Sequence, residues 1–472
     1  MEKNYFIDGH AADATAEFFR KNLQQDNEMM AIEVYRNNKL VIRAAAEPYS
    51  CTQKSEVYSL SKTFTSTGVG FAVEEGLLRL TDSVISYFDS ELPTTISENL
   101  AAMQVHHLLC MSTGHDDCVM PEIVQDNRGI RAFFEHELKY RPGTHFAYNT
   151  AASFLLSAIV TKVTGQTLLD YLTPRLFTPL GSYGISWDSA FGYNLGGTGL
   201  NISCDDIAQF GLLYLNKGMY HGRQLLPLGW AEQMSTVYSD TSADTSPDWS
   251  VGYGYQCWRN SRGGYRGDGA YGQACIVLPE RQTVVALRGY CALMQPELDY
   301  LFELLDKLSP VPDGASSCGA IAPYLPLKKA AHALLPFENS SFLCVPNELG
   351  VTAVAVRRDG ERLVLTLSDG AHPIVITAGN GEWVANEFYA RGMKPKLTHL
   401  MVAGYEKSSL MACWTANDRE IRILWRHLNA PHTEELLLTG DAAGNTLQLR
   451  LLCQEELLAK GMTALSGKRQ LP

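Results

Sequence analysis

Tyr58-Ser59-Leu60-Ser61-Lys62-Thr63-Phe64-Thr65-Ser66-Thr67 is the stretch from which the rest of the chain is read. It holds the one S-x-x-K in the sequence, Ser59 to Lys62, where the extended run Glu56-Val57-Tyr58 hands over to a helical pattern from Lys62 to Leu78 that stops at Gly76. On a first helical turn, residues three apart share a face, so the Lys62 amine can reach the Ser59 hydroxyl. A serine hydroxyl is a poor nucleophile until a base takes its proton. Burial disfavours an ammonium, so a buried lysine can be that neutral base. The N–H groups of the helix start can stabilise an oxyanion beside Ser59. The plain alternative is a surface serine and lysine opening an ordinary helix.

Other motifs of nucleophilic or phosphate chemistry are missing. The chain has no G-x-S-x-G, no H-E-x-x-H and no P-loop. Three further segments extend the first. Glu74-Glu75-Gly76-Leu77-Leu78-Arg79-Leu80-Thr81-Asp82 closes the helix, and Leu108-Leu109-Cys110-Met111-Ser112-Thr113-Gly114-His115 follows. Then comes Pro142-Gly143-Thr144-His145-Phe146-Ala147-Tyr148-Asn149-Thr150, with Phe154-Leu155-Leu156 and Val163-Thr164-Gly165 behind it. Finally, Tyr265-Arg266-Gly267-Asp268-Gly269-Ala270-Tyr271-Gly272-Gln273 leads into the apolar run Cys275-Ile276-Val277-Leu278.

In that order, these segments resemble the penicillin-recognising serine hydrolases: class C β-lactamases, DD-peptidases, and family VIII esterase-like and amide-cleaving relatives. The resemblance covers residues 28–308. It implies an α+β, β-lactamase/transpeptidase-like domain, an antiparallel sheet flanked by helices with an all-helical subdomain. It also implies Ser59 as nucleophile, and Lys62 and Tyr148 as the groups that move protons. The family's Y-x-N motif ends here in Thr150 rather than asparagine. The family's K-T-G strand is not literal. Aligning Arg266 with its lysine makes Arg266, Asp268, Ala270 and Thr150 the expected substrate-binding residues. Arg266 is then either a fork for a substrate carboxylate or a solvated edge-strand charge. The Ser59 N–H and that of Gly269, or of Ala270 if the register slips by one, are the expected oxyanion donors.

His106, His107, Cys110, His115, Asp116, Asp117 and Cys118 crowd together, yet their spacing matches no standard zinc pattern. A structural role is expected for them, and no metal or organic cofactor is required by the chemistry above. Trp230, Trp249, Tyr253, Tyr255 and Trp258 bracket the glycine-rich strand and are expected in the core and cleft wall.

The rest of the 472 residues sets the boundaries. With 46% hydrophobic and 19% charged residues, the chain can bury a core, which excludes wholesale disorder. A net charge of −12 argues against nucleic-acid binding by a broad basic face. The 11 cysteines are odd in number and scattered, as reduced thiols used as small hydrophobes would be. Met1-Glu2-Lys3-Asn4-Tyr5 does not open a signal peptide, and no apolar run is long enough to span a bilayer. A cytoplasmic protein free of the membrane is therefore expected.

The organisation reads as a helix at about 11–25, a hairpin over Met30–Tyr35 and Leu40–Ile42, a mainly helical 80–230, two strands over 271–287 and a helix at about 295–308. Ser309-Pro310-Val311-Pro312-Asp313-Gly314 is turn-rich and marks a boundary. The expected division is a hydrolase domain at 1–308, a linker at 309–324 and an all-β domain at 325–472. Alternating strands at 351–356, 362–367 and 419–424 suggest a small lipocalin-like barrel for the last, and it is expected to border the cleft. The expected activity is cleavage of a small ester or amide through an acyl-serine. A β-lactamase or DD-peptidase is the alternative within enzymes, and a catalytically inactive ligand-binding module is the alternative outside them.

Overall fold

The computed structural model describes residues 9–125, 128–309, 329–330, 334–347, 351–368, 370, 373–390, 406–430, 433–453 and 463–469. The chain divides into two compact units, Met1–Pro323 and Tyr324–Pro472. Most of the expected linker, from residue 310 onward, lies outside the described residues.

The first unit is built on a six-stranded antiparallel sheet. Its strands are β1 (Glu28–Arg36), β2 (Lys39–Ala45), β3 (Trp258–Arg259), β4 (Tyr265–Gly269), β5 (Gln273–Leu278) and β6 (Thr283–Tyr290), in the order β3-β4-β5-β6-β1-β2. The hairpin turn at Asn37 and Asn38 uses two left-handed residues, φ 51° and 60°, which asparagine tolerates better than most. Ile32 faces Leu287 and Val34 faces Val285, so the first hairpin pairs with the last strand of the unit.

The helices are α1 (Gly9–Leu23), α2 (Ser61–Glu74), α3 (Thr150–Thr164), α4 (Cys204–Leu215) and α5 (Met294–Lys307). One sheet face packs Ile32, Val34, Ile276, Val285 and Leu287 against Phe18 and Phe19 of α1 and Leu298, Leu301 and Phe302 of α5. On α4, Gly211 lies so close that a Cβ would sit 2.5 Å from Val284 Cγ1. Helices on both faces leave every residue of β5 and β6 buried, which is why these strands read as apolar runs rather than alternating ones.

Residues 80–230 are less helical than their pattern suggests. Apart from α3 and α4, their helices run only three to six residues, broken by turns and short strands. Helix α2 is buried on all sides from Ser61 to Ala72. Its small residues admit neighbours: a Cβ on Gly68 would meet Leu168 at 2.6 Å, and one on Gly70 would meet Trp230 at 2.5 Å. A glycine inside a helix costs about 1 kcal/mol relative to alanine; close packing offsets that cost here.

The second unit holds β7 (Ser340–Cys344), β8 (Ala353–Asp359), β9 (Arg362–Ser368), β10 (Ile374–Asn380), β11 (Val384–Ala390), β12 (Glu406–Ala416), β13 (Glu420–His427), β14 (Thr433–Gly440), β15 (Thr446–Cys453) and β16 (Thr463–Arg469). Nine of them close into a barrel, sealed where Gly379 and Asn380 of β10 pair in parallel with Cys413 and Trp414 of β12. Among the described residues, strand β11 pairs with β12 alone. The alternation seen in the sequence sends Val354, Val356, Leu363, Leu365, Ile421 and Ile423 inward, around the fully buried Trp414 and Trp425. The interior is thus a packed core. Among the described residues, no single helix is long and apolar enough to cross a membrane.

Candidate active site

The Ser59 segment begins with a strained elbow. Tyr58 sits at φ 47°, an uncommon conformation for a bulky residue, and opens a 3-10 turn over Tyr58–Leu60 that runs straight into α2. Three contacts hold it. The Val57 N–H donates to Leu200 O at 2.9 Å, the Ser61 hydroxyl donates to Tyr58 O at 2.6 Å, and the Tyr58 ring meets Tyr271 edge-on at 5.4 Å. Ser61 also accepts from the Leu200 N–H and is fully buried, so it belongs to the scaffold. Ser59 is the partly exposed serine of the pair.

Lys62, on the first turn of α2, donates to Ser59 Oγ at 3.0 Å and to Gly197 O at 2.7 Å. It is 1% exposed. Burial pushes its amine down to about 7, with the Cys118 thiol and the Asp268 carboxylate pushing weakly back. At neutral pH a large share of this amine is therefore unprotonated, as a base for Ser59 must be.

Tyr148 completes the group. Its ring lies under the Lys62 amine at 5.0 Å, and the nearby Ser59 side chain pulls the phenol slightly down. Burial and Asp268 hold the phenol well above its ordinary value, so it stays protonated. Asn149, the next residue, caps α3 by accepting from the Ala151 N–H at 3.0 Å, and it accepts from the Val119 N–H at 3.3 Å. That cap fixes the chain just where the tyrosine leaves it. Trp258 stacks on the Tyr148 ring at 5.6 Å, and Tyr253 meets it edge-on at 6.1 Å.

Strand β4 forms the opposite wall. A Cβ on Gly269 would lie 2.1 Å from Val57 O and 3.1 Å from the Ser59 and Leu60 nitrogens. Only glycine allows the strand this close to the Ser59 backbone. Gly267, two residues earlier on the same face, would collide with Thr63 at 2.2 Å. If Gly269 is the glycine of a K-T-G motif, the lysine position is Gly267 and not Arg266.

Arg266 lies on the other face. It is completely buried over Trp249, bonded to Asp268, the Asp248 and Arg259 carbonyls and Asn260. This corrects the reading of a solvated edge-strand charge. Protein acceptors hold its Nε and Nη1, and its Nη2 is buried with no partner among the described residues. Asp268 is nearly buried too, and burial raises its carboxyl against the pull of Arg266. Ala270, just past the strand, is half-buried, and Thr150 packs against Gly197.

The histidine–cysteine cluster disperses into local bonds. His106 binds the Tyr255 hydroxyl, His107 accepts from the Gln104 N–H, and His115 bonds to Thr113 and Phe133 O. Cys118 alone comes near Lys62 and Tyr148. Among the described residues, only Asp116, Asp117 and His136 bring three potential metal ligands together, and Lys139 already pairs with Asp116.

A strained serine elbow, a buried lysine and a capped tyrosine thus converge beside a glycine strand. A family model described as Beta-lactamase matches residues 15–288. The chain belongs to the Beta-lactamase family. It is 23% identical over 279 residues to a 6-aminohexanoate-dimer hydrolase of Paenarthrobacter ureafaciens, covering 54% of this chain and 71% of that one. It is 25% identical over 137 residues to a beta-lactamase of Yersinia enterocolitica, covering 29% of this chain and 34% of that one. Two solved structures share the fold. The octameric penicillin-binding protein homologue from Pyrococcus abyssi matches with TM-score 0.51 at 16% identity, over 97% of this chain and 99% of its own. EstCE1, a hydrolase with promiscuous acyltransferase activity, matches with TM-score 0.53 at 16% identity, over 64% and 98%. The chain is a hydrolase of this Beta-lactamase superfamily.

Within the family fold, the sequence reading missed the strap Leu195-Gly196-Gly197-Thr198-Gly199. It carries the carbonyl that orients Lys62, and Gly196 and Gly197 let it lie against Ser153 and Thr150 of α3. Glu56 anchors it through the Thr198 hydroxyl at 2.8 Å and the Gly199 N–H at 3.2 Å. The cluster of three glycines was the available signal.

Proposed function

We propose that this hydrolase opens a small carboxylic ester or amide through an acyl-Ser59 intermediate. The observation that carries the reading is the buried Lys62 amine, 3.0 Å from Ser59 Oγ and titrating near neutrality. Neutral Lys62 takes the Ser59 proton as the oxygen attacks the carbonyl carbon. The protonated Tyr148 phenol donates toward the leaving group, and the lysine proton restores the phenol. The Ser59 N–H, with that of Gly269 or Ala270, stabilises the oxyanion. Water then attacks the acyl-enzyme by the reverse proton path and releases the acid.

Substrates without a carboxylate anchor suit this cleft best. Gly267 offers no side chain, Arg266 is fully buried on the other face of the strand, and Asp268 adds a negative charge that Lys62 feels. The test is a fluorophosphonate label mapped by peptide mass, together with rates on p-nitrophenyl acetate and nitrocefin. Expected are one label at Ser59, ester turnover abolished in Ser59→Ala and kept in Ser61→Ala, and slow nitrocefin hydrolysis. Turnover surviving in Ser59→Ala overturns the nucleophile. A nitrocefin kcat/KM near the diffusion ceiling of about 10⁸ M⁻¹s⁻¹ would favour a β-lactamase.

A further inference from the structure

Gln256 is 1% exposed and sits at φ 61° without being glycine. Strained backbone of this kind persists only where the surroundings over-determine it, and it concentrates at functional sites. The surroundings here are three separate elements. The Gln256 side-chain amide donates through Nε2 to Leu108 O at 3.0 Å and Leu109 O at 2.9 Å. Its Oε1 accepts from Ser153 Oγ at 2.6 Å. On the main chain, its N–H donates to Leu109 O at 3.0 Å and its carbonyl accepts from Thr63 Oγ1 at 3.0 Å. Thr63 follows Lys62 on α2. Ser153 lies on the first turn of α3, just past Tyr148 and its cap Asn149.

We propose that Gln256 is a positioning residue, a brace that fixes the separation between the helix carrying Lys62 and the helix that follows Tyr148. This rests on the hydrolase reading above. The chemistry of the position is demanding. Two donors and an acceptor must stand on one short stem. Glutamate has no amide donors, asparagine falls one methylene short, and methionine makes neither kind of bond. The same segment also supplies Trp258, which stacks on Tyr148, so losing the brace disturbs the tyrosine from two sides. Thr63 leaves no slack: Gly267 presses on it from strand β4. Proton transfer between Ser59, Lys62 and Tyr148 needs hydrogen-bond reach, and a shift of about 1 Å can cost about 10²-fold in rate.

The test uses the full-length protein and p-nitrophenyl acetate. Ser153→Ala and Thr63→Val each remove one bond to Gln256 and touch no reacting atom, while Gln256→Asn withdraws the whole amide. Expected is a kcat loss of about tenfold in the two single-bond variants and up to about 10²-fold in Gln256→Asn. KM should be unchanged, and the midpoint of the acidic limb of kcat/KM should be displaced, because Lys62 has moved against its partners. Thr63→Ser, which keeps the hydroxyl, should restore both the rate and the midpoint. If Gln256→Asn does not fold, the Ser153 and Thr63 variants decide the matter alone. Wild-type kcat and pH profile in folded Ser153→Ala and Thr63→Val, with only the thermal midpoint lowered, would reduce Gln256 to a structural plug and overturn the brace. Absence of a Ser59 label in the wild type is a different signature, and it overturns the hydrolase reading itself.

Discussion

Lys62 should leave its mark on both stability and rate, and the two must agree. An ordinary lysine titrates at about 10.4, whereas the buried Lys62 amine is pushed down to about 7. Folding must therefore strip a proton from Lys62 or bury a cation. The sign follows from proton counting. Between pH 7 and about 10 the unfolded chain binds the extra proton, so stability rises with pH across that window; below pH 7 both states are protonated and the folded state bears the full cost of roughly 5 kcal/mol. Lys62→Met removes that burden. It also strands the Gly197 carbonyl, at about 1–3 kcal/mol, but equally at every pH. The pH slope therefore isolates the lysine. From pH 7 to pH 9 the wild type should gain roughly 2 kcal/mol relative to Lys62→Met in urea unfolding. The kcat/KM of the wild type on p-nitrophenyl acetate should rise with pH through the same midpoint near 7. Parallel stability curves for the two proteins, or an acidic limb at a carboxylate-like pH, would refute a neutral Lys62 base.

Three other outcomes are expected. Tyr148→Phe should lower the acylation rate by at least about 10² in stopped-flow bursts while sparing the thermal midpoint, since it deletes a proton donor and keeps the ring that stacks on Trp258. Gly269→Ala forces a Cβ to 2.1 Å from Val57 O, so strand and elbow must part, and fluorophosphonate labelling of Ser59 should slow about 10²-fold in a folded protein. Asp268→Asn removes a negative charge that holds the Lys62 amine up, so the acidic limb of kcat/KM should move to lower pH; movement to higher pH contradicts the assignment of that limb to Lys62.

Local chemistry was the legible part of this chain. The spacing of Ser59 and Lys62 states its own geometry, because one helical turn converts three residues of sequence into one hydrogen bond. Alternation announced the barrel strands, and the Asn37-Asn38 turn announced the first hairpin. Arg266 is not the solvated edge charge its type suggests, for a physical reason. A charge attracts attention and a glycine does not, yet strand alternation placed the arginine on the face away from Ser59 and left Gly267 and Gly269 facing it. The tasks of the Gly197 carbonyl and the Gln256 amide could not be read from the sequence for a different reason, although the glycines of the strap stand out in it. A carbonyl belongs to every residue, and a lone glutamine carries no spacing, so only the tertiary meeting of α2 and α3 gives either a task.

The pairing of β1 with β6 sets the order of events on the ribosome. Residues 28–45 emerge early, but their sheet partner, residues 283–290, is among the last parts of the first unit to be made. At typical elongation rates the hairpin waits roughly 10–50 s with one strand edge unsatisfied. In that interval α2 has left the exit tunnel without β4 to press against it, so Ser59 and Lys62 exist as a sequence before they exist as a site. A nascent chain halted before residue 283 should be inert and should bind strand-capturing chaperones, and translation far enough past residue 290 for β6 to clear the tunnel should end both conditions together.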